Sequence, residues 1–235
     1  MSSAILPFSA ENKPWSTMQR IESSENFRAF FEVSRETVVR MESYVELLAI
    51  WQRAINLVAP STMAEVWHRH ITDSAQLLRL APGVRPLNWV DLGAGAGFPG
   101  LVLAIMLAES PGNKVRLIES DAKKCAFMRE VVRKTGIARL VTVDIVGERI
   151  QSPEVSSKVD VVDVVSARAL ASLDCLFEYS FGMFHPHTIG IFPKGKDATT
   201  EVATARDRWL FDCELQPSQT ETSASIVVVS GLKRR

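Results

Sequence analysis

The sequence predicts an α/β protein in which a doubly wound, mostly parallel sheet follows an N-terminal helical subdomain. Two observations predict this fold. From residue 87 onward, short apolar runs typical of strands alternate with amphipathic segments typical of helices, which indicates a parallel sheet covered by helices. The first of these runs, residues 87–92, leads through a glycine-rich loop into an apolar helix at 101–108. In such sheets ligands bind at the carboxyl ends of the strands, where the strand order reverses.

The composition is that of an ordinary globular protein. The chain has 235 residues, of which 46% are hydrophobic and 23% charged, with a formal net charge of zero. Any contact with nucleic acid therefore needs a local basic patch. Cys125, Cys175 and Cys213 are far apart and form no Cys-x-x-Cys pair, which argues against a disulfide framework or a zinc site. Because the chain has no apolar run of roughly 20 residues and no secretory signal pattern, we expect a soluble, cytoplasmic protein.

The chain is predicted to consist of three regions. Residues 1–25 are rich in serine and proline and predict a flexible arm, residues 26–86 predict a helical cap, and residues 87–235 predict the sheet domain. The cap is predicted from apolar residues at three- and four-residue steps, namely Phe27, Phe30, Phe31, Val38, Met41, Val45 and Leu48. Ser61 is a plausible N-cap of a short helix, and a further helix is expected around Ile71 and Leu78.

The sheet domain is predicted to continue with alternating elements. Strands are expected at 115–119, 140–145, 159–165, 188–192 and 225–229, and helices at 122–135 and 197–209. Asp121 is the expected N-cap of the first of these helices and Gly136 its C-cap. His185 and His187 flank Pro186 and are interpreted as turn residues.

The glycine-rich loop indicates a nucleoside pocket. Residues 91–100 read Asp-x-Gly-x-Gly-x-Gly-Phe-Pro-Gly. Asp91 at the strand end, with Gly93 and Gly95, lets the backbone approach a ligand closely, and the next helix is expected to direct its first N–H groups at it. A dinucleotide fingerprint requires a third glycine where Phe98 stands, so the spacing suits a ligand without a pyrophosphate. A purely structural strand–helix turn is the alternative interpretation.

Glu119 closes the next predicted strand, where a carboxylate can accept hydrogen bonds from both ribose hydroxyls. The alternative is an exposed carboxylate at a strand end. Cys125 has no identifiable partner and is interpreted as a packing residue. His68 and His70 with Asp73 are too few for a metal site, so no metal is expected. The sequence also contains no nucleophile elbow and no phosphate-loop lysine.

Several further segments make the chain resemble a known family, the GidB (RsmG) family of 16S rRNA guanine-N7 methyltransferases. They lie in order from about Val45 to the C-terminus: Trp51 with Ile55-Asn56-Leu57-Val58, Arg69-His70-Ile71-Thr72-Asp73-Ser74, the glycine loop, Glu119-Ser120-Asp121-Ala122-Lys123-Lys124, Ser166-Ala167-Arg168-Ala169 and Lys194-Gly195. The resemblance implies a class I, Rossmann-like methyltransferase fold, S-adenosylmethionine as cofactor, and 16S rRNA of the small ribosomal subunit as partner.

The resemblance also implies roles for individual residues. Gly93 and Phe98 would line the cofactor site, Glu119 would hold the ribose, and Ile150 and Gln151 would border the adenine. The family commonly has glutamate where Gln151 aligns, and a glutamine amide is neutral and also donates. Arg168 would contact the cofactor or the reacting base.

Guanine N7 carries a lone pair and no proton, so its methylation requires positioning and no general base. Arg168, Lys194 and His70 are the candidate catalytic residues on the RNA side. Asn56 and Asp73 are expected to organise them, although His70 and Asp73 could also form a purely structural link between cap and sheet.

Phosphate contacts are expected from two basic groups, the residues Lys123, Lys124, Arg129, Arg133, Lys134 and Arg139 and the tail Lys233-Arg234-Arg235. A solvated helix face explains the first group equally well. We expect a monomer. Two alternative functions stay open, a nicotinamide-dependent oxidoreductase, which Phe98 disfavours, and a nucleotide-sensing protein without turnover.

Overall fold

A computed structural model describes residues 19–83, 86–152, 155 and 161–235. Most of the predicted flexible arm, residues 1–18, lies outside the described residues. Its last two residues belong to the first helix, α1 (Ser24–Phe31), which the side chain of Ser23 caps. Within the described residues, no helix combines the length and apolar character that crossing a bilayer requires.

The region predicted as the helical cap contains two α-helices and an irregular helix. After α1, Glu32 adopts a left-handed backbone conformation, and α2 (Arg35–Trp51) begins at the Ser34 cap. The apolar face of these helices, which includes Phe27, Met41 and Tyr44, is buried.

Residues 60–80 form what we call the irregular helix. It consists of a 3-10 turn (Pro60–Glu65), a π-helical turn (Trp67–Thr72), one α-helical turn (Asp73–Ala75) and a second 3-10 turn (Gln76–Leu80). The prediction that Ser61 is the N-cap is wrong. The helix begins at Pro60, whose fixed φ and missing N–H suit a first helical position, and the carbonyl of Ala59 accepts the N–H and hydroxyl of Thr62.

The predicted doubly wound sheet is confirmed. Its seven strands, in the spatial order β3-β2-β1-β4-β5-β7-β6, are β1 (Asn88–Leu92), β2 (Lys114–Ile118), β3 (Thr142–Val146), β4 (Val164–Ala167), β5 (Ile189–Lys194), β6 (Trp209–Pro217) and β7 (Ser225–Arg234). The first five strands are parallel, whereas β7 and β6 form an antiparallel edge. The order reverses between β1 and β4, so the expected ligand site lies at their carboxyl ends.

Within the described residues, four α-helices connect the strands: α3 (Gly100–Leu107), α4 (Ala122–Thr135), α5 (Leu173–Ser180) and α6 (Ala198–Ala205). The caps of α4 are confirmed, since Asp121 accepts the N–H groups of Lys123 and Lys124 and Gly136 has a positive φ. The turn interpretation of His185 and His187 is also confirmed.

The predicted helix at 197–209 is too long. It ends at Ala205, and Trp209 begins β6, at whose start Trp209 and Phe211 are buried and the residue after each is exposed. The indole of Trp209 packs edge-on against Phe177 and donates to Asp174, so tertiary contacts favour a strand there. The predicted strand at 159–165 begins later, at Val164, and its first two residues lie outside the described residues.

The sheet separates two hydrophobic clusters, and successive residues of β1 contribute to both, because side chains alternate along a strand. Trp89 packs on the side of the helical cap, whereas Val90 and Leu92 pack on the opposite side. Every residue of α3 is buried. The helical cap is thus part of the main core and covers the helix that follows the glycine-rich loop.

Candidate functional site

The glycine-rich loop follows β1 and turns sharply. Gly93, Gly95 and Gly97 have φ angles of +64°, +58° and +94°, a region that residues with a side chain rarely adopt. A β-carbon at Gly93 would lie 2.7 Å from Cδ1 of Leu170. Side chains thus pack closely against Gly93, whereas a β-carbon at Gly95 would meet only the carbonyl of Gly93 at 3.8 Å, which leaves backbone accessible at the carboxyl end of the central strand.

Asp91 holds this loop from below. Its side chain is fully buried. Oδ1 accepts the hydroxyl of Ser166 at 2.7 Å, and Oδ2 accepts the N–H of Gly100 at 3.0 Å. The indole N–H of Trp89 donates to the same Ser166 oxygen at 2.8 Å. Burial raises the pKa of Asp91 to about 7, opposed by the hydrogen bonds from Ser166 and Gly100. Asp91, a predicted cofactor-binding residue, thus anchors the loop from inside the core.

The start of α3 is packed without spare room. A β-carbon at Gly100 would lie 2.1 Å from Cδ2 of Leu117 and 2.9 Å from Oδ2 of Asp91. The expectation that the first N–H groups of this helix face a ligand is wrong for Gly100 and Leu101. The first donates to Asp91 and the second to the carbonyl of Gly97.

Glu119 follows β2 directly and connects the loop to α4. Its Oε2 accepts the N–H of Gly95 at 2.9 Å, and its Oε1 accepts the N–H of Asp121 at 2.8 Å. Each carboxylate oxygen has a further lone pair, so the same group can also accept ribose hydroxyls. The backbone hydrogen bonds orient the carboxylate toward the glycine-rich loop.

Phe98 lies inside an aromatic cluster and is 4% exposed. Its ring stacks with Tyr44 at a centroid distance of 5.2 Å and with His70 at 5.0 Å. The hydroxyl of Tyr44 donates to the carbonyl of Ala96 at 2.5 Å. The helical cap therefore contacts the glycine-rich loop both at the Phe98 ring and at the backbone carbonyl of Ala96.

Arg168, the first residue after β4, reaches the irregular helix. One terminal nitrogen donates to Oδ2 of Asp73 at 3.0 Å and to the carbonyl of Arg69 at 3.2 Å. The other contacts Nδ1 of His70 at 3.1 Å. Ala169 follows with φ +53°, uncommon for this residue type. The guanidinium carbon also lies 5.2 Å from the ring centre of Phe98, so Arg168 closes the cluster.

The contacts of His70 define its tautomer. A guanidinium only donates, so Nδ1 of His70 accepts from Arg168, and Nε2 carries the proton. Nε2 then donates to Oγ1 of Thr62 at 2.7 Å, which donates to the carbonyl of Ala59. Burial, with Arg168 as the second cause, lowers the pKa of His70 to about 4. His70 is therefore neutral near pH 7, with both ring nitrogens engaged.

Lys194 is turned inward. Its ammonium lies 2.8 Å from Oε2 of Glu201 and donates to the carbonyl of Ala171 at 2.6 Å, and its side chain is 8% exposed. The same Glu201 oxygen accepts the N–H of Leu173. Lys194 thus fastens the segment after Arg168 to α6, which differs from the predicted position facing RNA.

The remaining predicted residues lie at the periphery. Ile150 is half-buried against the second hydrophobic cluster, and Gln151 is exposed in the turn after β3. Asn56 is exposed and accepts a hydrogen bond from Gln52. The predicted packing role of Cys125 is confirmed, because its buried thiol donates to the carbonyl of Glu119 and burial raises its pKa.

His68 and His70 have separate hydrogen-bond partners. Nδ1 of His68 accepts the N–H of Ile21 at 3.4 Å, and Nε2 contacts the carbonyl of Thr220 at 3.2 Å. No group of three or more His, Cys, Asp or Glu side chains that could hold a metal ion is found in the described part of the chain.

Sequence reasoning missed three residues that shape the site: Trp89, Ser166 and Tyr44. Trp89 and Asp91 share one face of β1, and Ser166 is paired with Asp91 across the sheet. Strand alternation relates the first pair, but the partner strand is not visible in a single sequence. Tyr44 belongs to the apolar stripe of α2, where its hydroxyl is the signal of a polar partner in the core.

Comparison with known proteins adds a specific similarity. Residues 37–226 match the GidB family model, described as rRNA small subunit methyltransferase G. The ribosomal RNA small subunit methyltransferase G of Parvibaculum lavamentivorans is 47% identical over 213 residues, which cover 91% of each chain. The protein of the same name from Methylorubrum extorquens is 46% identical over 202 residues, covering 86% of this chain and 92% of the relative.

Solved structures share the fold at low identity. An O-methyltransferase from Bacillus cereus, solved with SAH, has a TM-score of 0.53 and 16% identity, covering 80% of this chain and 90% of its own. An SAM-dependent methyltransferase from Aquifex aeolicus has a TM-score of 0.51 and 16% identity, covering 73% and 92%. These similarities confirm the predicted class I methyltransferase fold.

Replacement of Ser166 with alanine tests the anchor of the loop. In Ser166→Ala, Asp91 loses a hydroxyl donor and the indole of Trp89 loses its acceptor, both inside the core. We expect the free energy of unfolding, measured with urea, to fall by about 1–3 kcal/mol. Ser180→Ala is the matched control, because this buried hydroxyl donates to a carbonyl of its own helix. Equal losses in the two variants would contradict the anchoring role.

The lowered pKa of His70 predicts a pH dependence of stability. The pKa falls from 6.5 to about 4 on folding, so the unfolded chain binds more protons between these values. The stability that neutral His70 contributes is present above pH 6.5 and is lost as the pH falls toward 4. Urea unfolding at several pH values should show a smaller acid loss in His70→Asn than in the natural sequence. His187→Asn, altered in an exposed turn, should follow the natural curve. Parallel curves for His70→Asn would refute the assignment.

Proposed function

Because the chain belongs to the GidB family of rRNA small subunit methyltransferases, we propose that it transfers the methyl group of S-adenosylmethionine to N7 of a guanine in 16S rRNA. One observation carries the proposal beyond the family match. The bare glycine-rich loop, Glu119 and Arg168 converge at the carboxyl ends of β1, β2 and β4, beside the reversal of strand order. This is where a doubly wound sheet binds a nucleoside.

The cofactor would lie over the glycine-rich loop. Gly93 and Gly95 offer backbone without side chains, and Glu119, already oriented by the N–H of Gly95, would accept the ribose hydroxyls. Ile150 and the exposed Gln151, in the turn after β3, would border the adenine. Phe98 would contribute the rigid wall behind the loop, because its ring is held by the helical cap.

The chemistry needs no general base. The N7 lone pair attacks the sulfonium methyl carbon, the carbon–sulfur bond breaks, and its electron pair stays on sulfur. The base gains the positive charge that the sulfonium loses, and no proton moves. This matches a site whose histidine is neutral and has both nitrogens engaged. Catalysis then consists of holding donor and acceptor in line, worth up to roughly 7–11 kcal/mol in ideal cases.

Arg168 is the residue that we place nearest the acceptor base. Its contacts to Asp73, His70 and the carbonyl of Arg69 use three N–H groups. Two of the five donors of a guanidinium therefore have no partner among the described residues. A donor directed at guanine O6 would orient the base and leave the N7 lone pair unshared. Lys194 would act indirectly, by fastening the segment that follows Arg168.

The target guanine is expected in a loop or unstacked. In A-form RNA the groove that carries N7 is deep and narrow, so a helical guanine is inaccessible to this site. The exposed basic residues of α4, with Arg139 beyond it, would contact phosphates around the target. We further propose that the protein acts as a monomer in the cytoplasm, since the loop, its anchor and the helical cap all come from one chain.

Methyl transfer to rRNA is tested directly. The protein is incubated with methyl-labelled S-adenosylmethionine and with small ribosomal subunits or free 16S rRNA that lack the modification. We expect label in a single guanine, detected as 7-methylguanine by borohydride reduction and aniline cleavage. Absence of label from both RNA substrates, while calorimetry shows cofactor binding, would refute the proposal. Thermal stabilisation by NAD and not by S-adenosylhomocysteine would instead favour the oxidoreductase.

The loop itself is tested with Gly93→Asp. A side chain at φ +64° is strained, and its β-carbon would lie 2.7 Å from Leu170, so the substitution must displace the loop over which we place the cofactor. We expect S-adenosylmethionine binding to be undetectable by isothermal titration calorimetry. Gly83→Asp is the control, because a β-carbon there meets nothing within 4 Å. Affinity within about twofold of the natural sequence in Gly93→Asp would show that the cofactor does not lie over this loop.

A further inference from the structure

The carboxylate of Asp73 is shared between the site and a distant turn. Its Oδ2 accepts Arg168, whereas Oδ1 accepts the hydroxyl of Thr220 at 2.6 Å and the amide of Gln76 at 3.0 Å. Thr220 lies in the connection between β6 and β7, far from Arg168 in sequence. One carboxylate therefore connects the antiparallel edge of the sheet to the arginine beside the cofactor loop.

Side chains of the irregular helix form several hydrogen bonds to the turn between β6 and β7. Gln76 is fully buried, and its Oε1 accepts the N–H of Gln219 at 2.8 Å. The hydroxyl of Ser218 is 3.0 Å from that of Thr220 and accepts the Thr220 N–H at 3.2 Å. Because Nδ1 of His68 accepts the N–H of Ile21, its Nε2 donates to the carbonyl of Thr220. Thr220 is thus held through its N–H, carbonyl and hydroxyl.

The hydroxyl has a specific electrostatic consequence. Asp73 and Arg168 are 19% and 17% exposed, so their ion pair lies mostly out of water. A short O–H···O⁻ bond is charge-assisted and directional. It holds one oxygen of the carboxylate and so orients the other toward the guanidinium. Without it, only the neutral amide of Gln76 holds this oxygen, so the orientation of the carboxylate toward Arg168 is less tightly fixed.

We propose that Thr220 is a positioning residue for methyl transfer, whose hydroxyl sets the Asp73 carboxylate and, through it, the Arg168 guanidinium against the target base. This inference rests on the proposed function, specifically on the contact of Arg168 with the acceptor. It assigns a role in the reaction to the turn between β6 and β7, which touches neither the glycine-rich loop nor Glu119 through any hydrogen bond among the described residues.

The test compares Thr220→Val, which keeps the shape and removes the hydroxyl, with Thr220→Ser, which keeps the hydroxyl. We expect kcat for rRNA methylation to fall about tenfold in Thr220→Val and to stay within about twofold of the natural sequence in Thr220→Ser. The Kd for S-adenosylmethionine should stay within about twofold in both. Thr204→Val, which removes an exposed hydroxyl bonded to a helix carbonyl on α6, is the matched control and should leave kcat unchanged.

Two further measurements separate positioning from folding. The ¹⁵Nε–H resonance of Arg168 should shift in Thr220→Val and return in Thr220→Ser, which reads the guanidinium without any turnover. In an Asp73→Asn background, Thr220→Val should lower kcat by less than twofold, since the pathway is already interrupted. If Thr220→Val unfolds below the assay temperature, Thr220→Ala is assayed with the same expectations.

The outcomes distinguish this inference from the proposed function. An unchanged kcat and an unchanged Arg168 resonance in Thr220→Val would overturn the positioning role while rRNA methylation by the natural sequence stands. Equal losses of kcat in the valine and serine variants would also overturn it, because they would follow from altered packing. Failure of the natural sequence to methylate rRNA would refute the proposed function, and with it the role of Thr220 in that reaction.

Discussion

The rest of the site depends on a carboxylate buried in the centre of the molecule. Asp91 joins β1 to β4 through Ser166 and both strands to α3 through the N–H of Gly100. Burying a charge is costly unless hydrogen bonds compensate, and the raised pKa of Asp91 shows that they do so only in part. These hydrogen bonds fix the end of the glycine-rich loop, whose glycines have left-handed backbone conformations, against the sheet. A surface carboxylate would not transmit the position of β4 to the loop in this way.

The helical cap holds the outer side of the glycine-rich loop in place, as Asp91 holds its inner side. Tyr44 binds the loop carbonyl of Ala96, and its ring with that of His70 packs on Phe98. His70 in turn accepts a hydrogen bond from Arg168, so the position of the cap also affects this arginine. The glycine-rich loop and Arg168 are consequently parts of one packed unit, in which a shift of the cap moves both. The aromatic at position 98, which disfavours a dinucleotide, is the element that makes this coupling possible.

The parts of the fold that are governed by local physics were predictable from the sequence. The parallel strands, the caps of α4 and the glycine-rich loop follow from periodicity, capping chemistry and backbone freedom. The misplaced N-cap at Ser61 is a local error of one or two residues, whereas the other failures depend on partners distant in sequence. Trp209 reads as the end of a helix until Phe177 and Asp174 are placed beside it. Lys194 reads as a free cation until Glu201 is seen 2.8 Å away. The strand order that pairs Ser166 with Asp91 is likewise invisible to spacing along one chain.

A site whose histidine has both ring nitrogens engaged suits a reaction that moves no proton. General acid–base catalysis needs a group whose pKa lies near the working pH and whose lone pair is available. Here the histidine is neutral because of burial and the adjacent guanidinium, and its lone pair is occupied by that guanidinium. Because both ring nitrogens of His70 are hydrogen-bonded, this residue is not available as a base and instead forms a rigid support. For a nucleophile as ready as guanine N7, rigidity is the useful property, because the remaining barrier is the alignment of three atoms: nitrogen, carbon and sulfur.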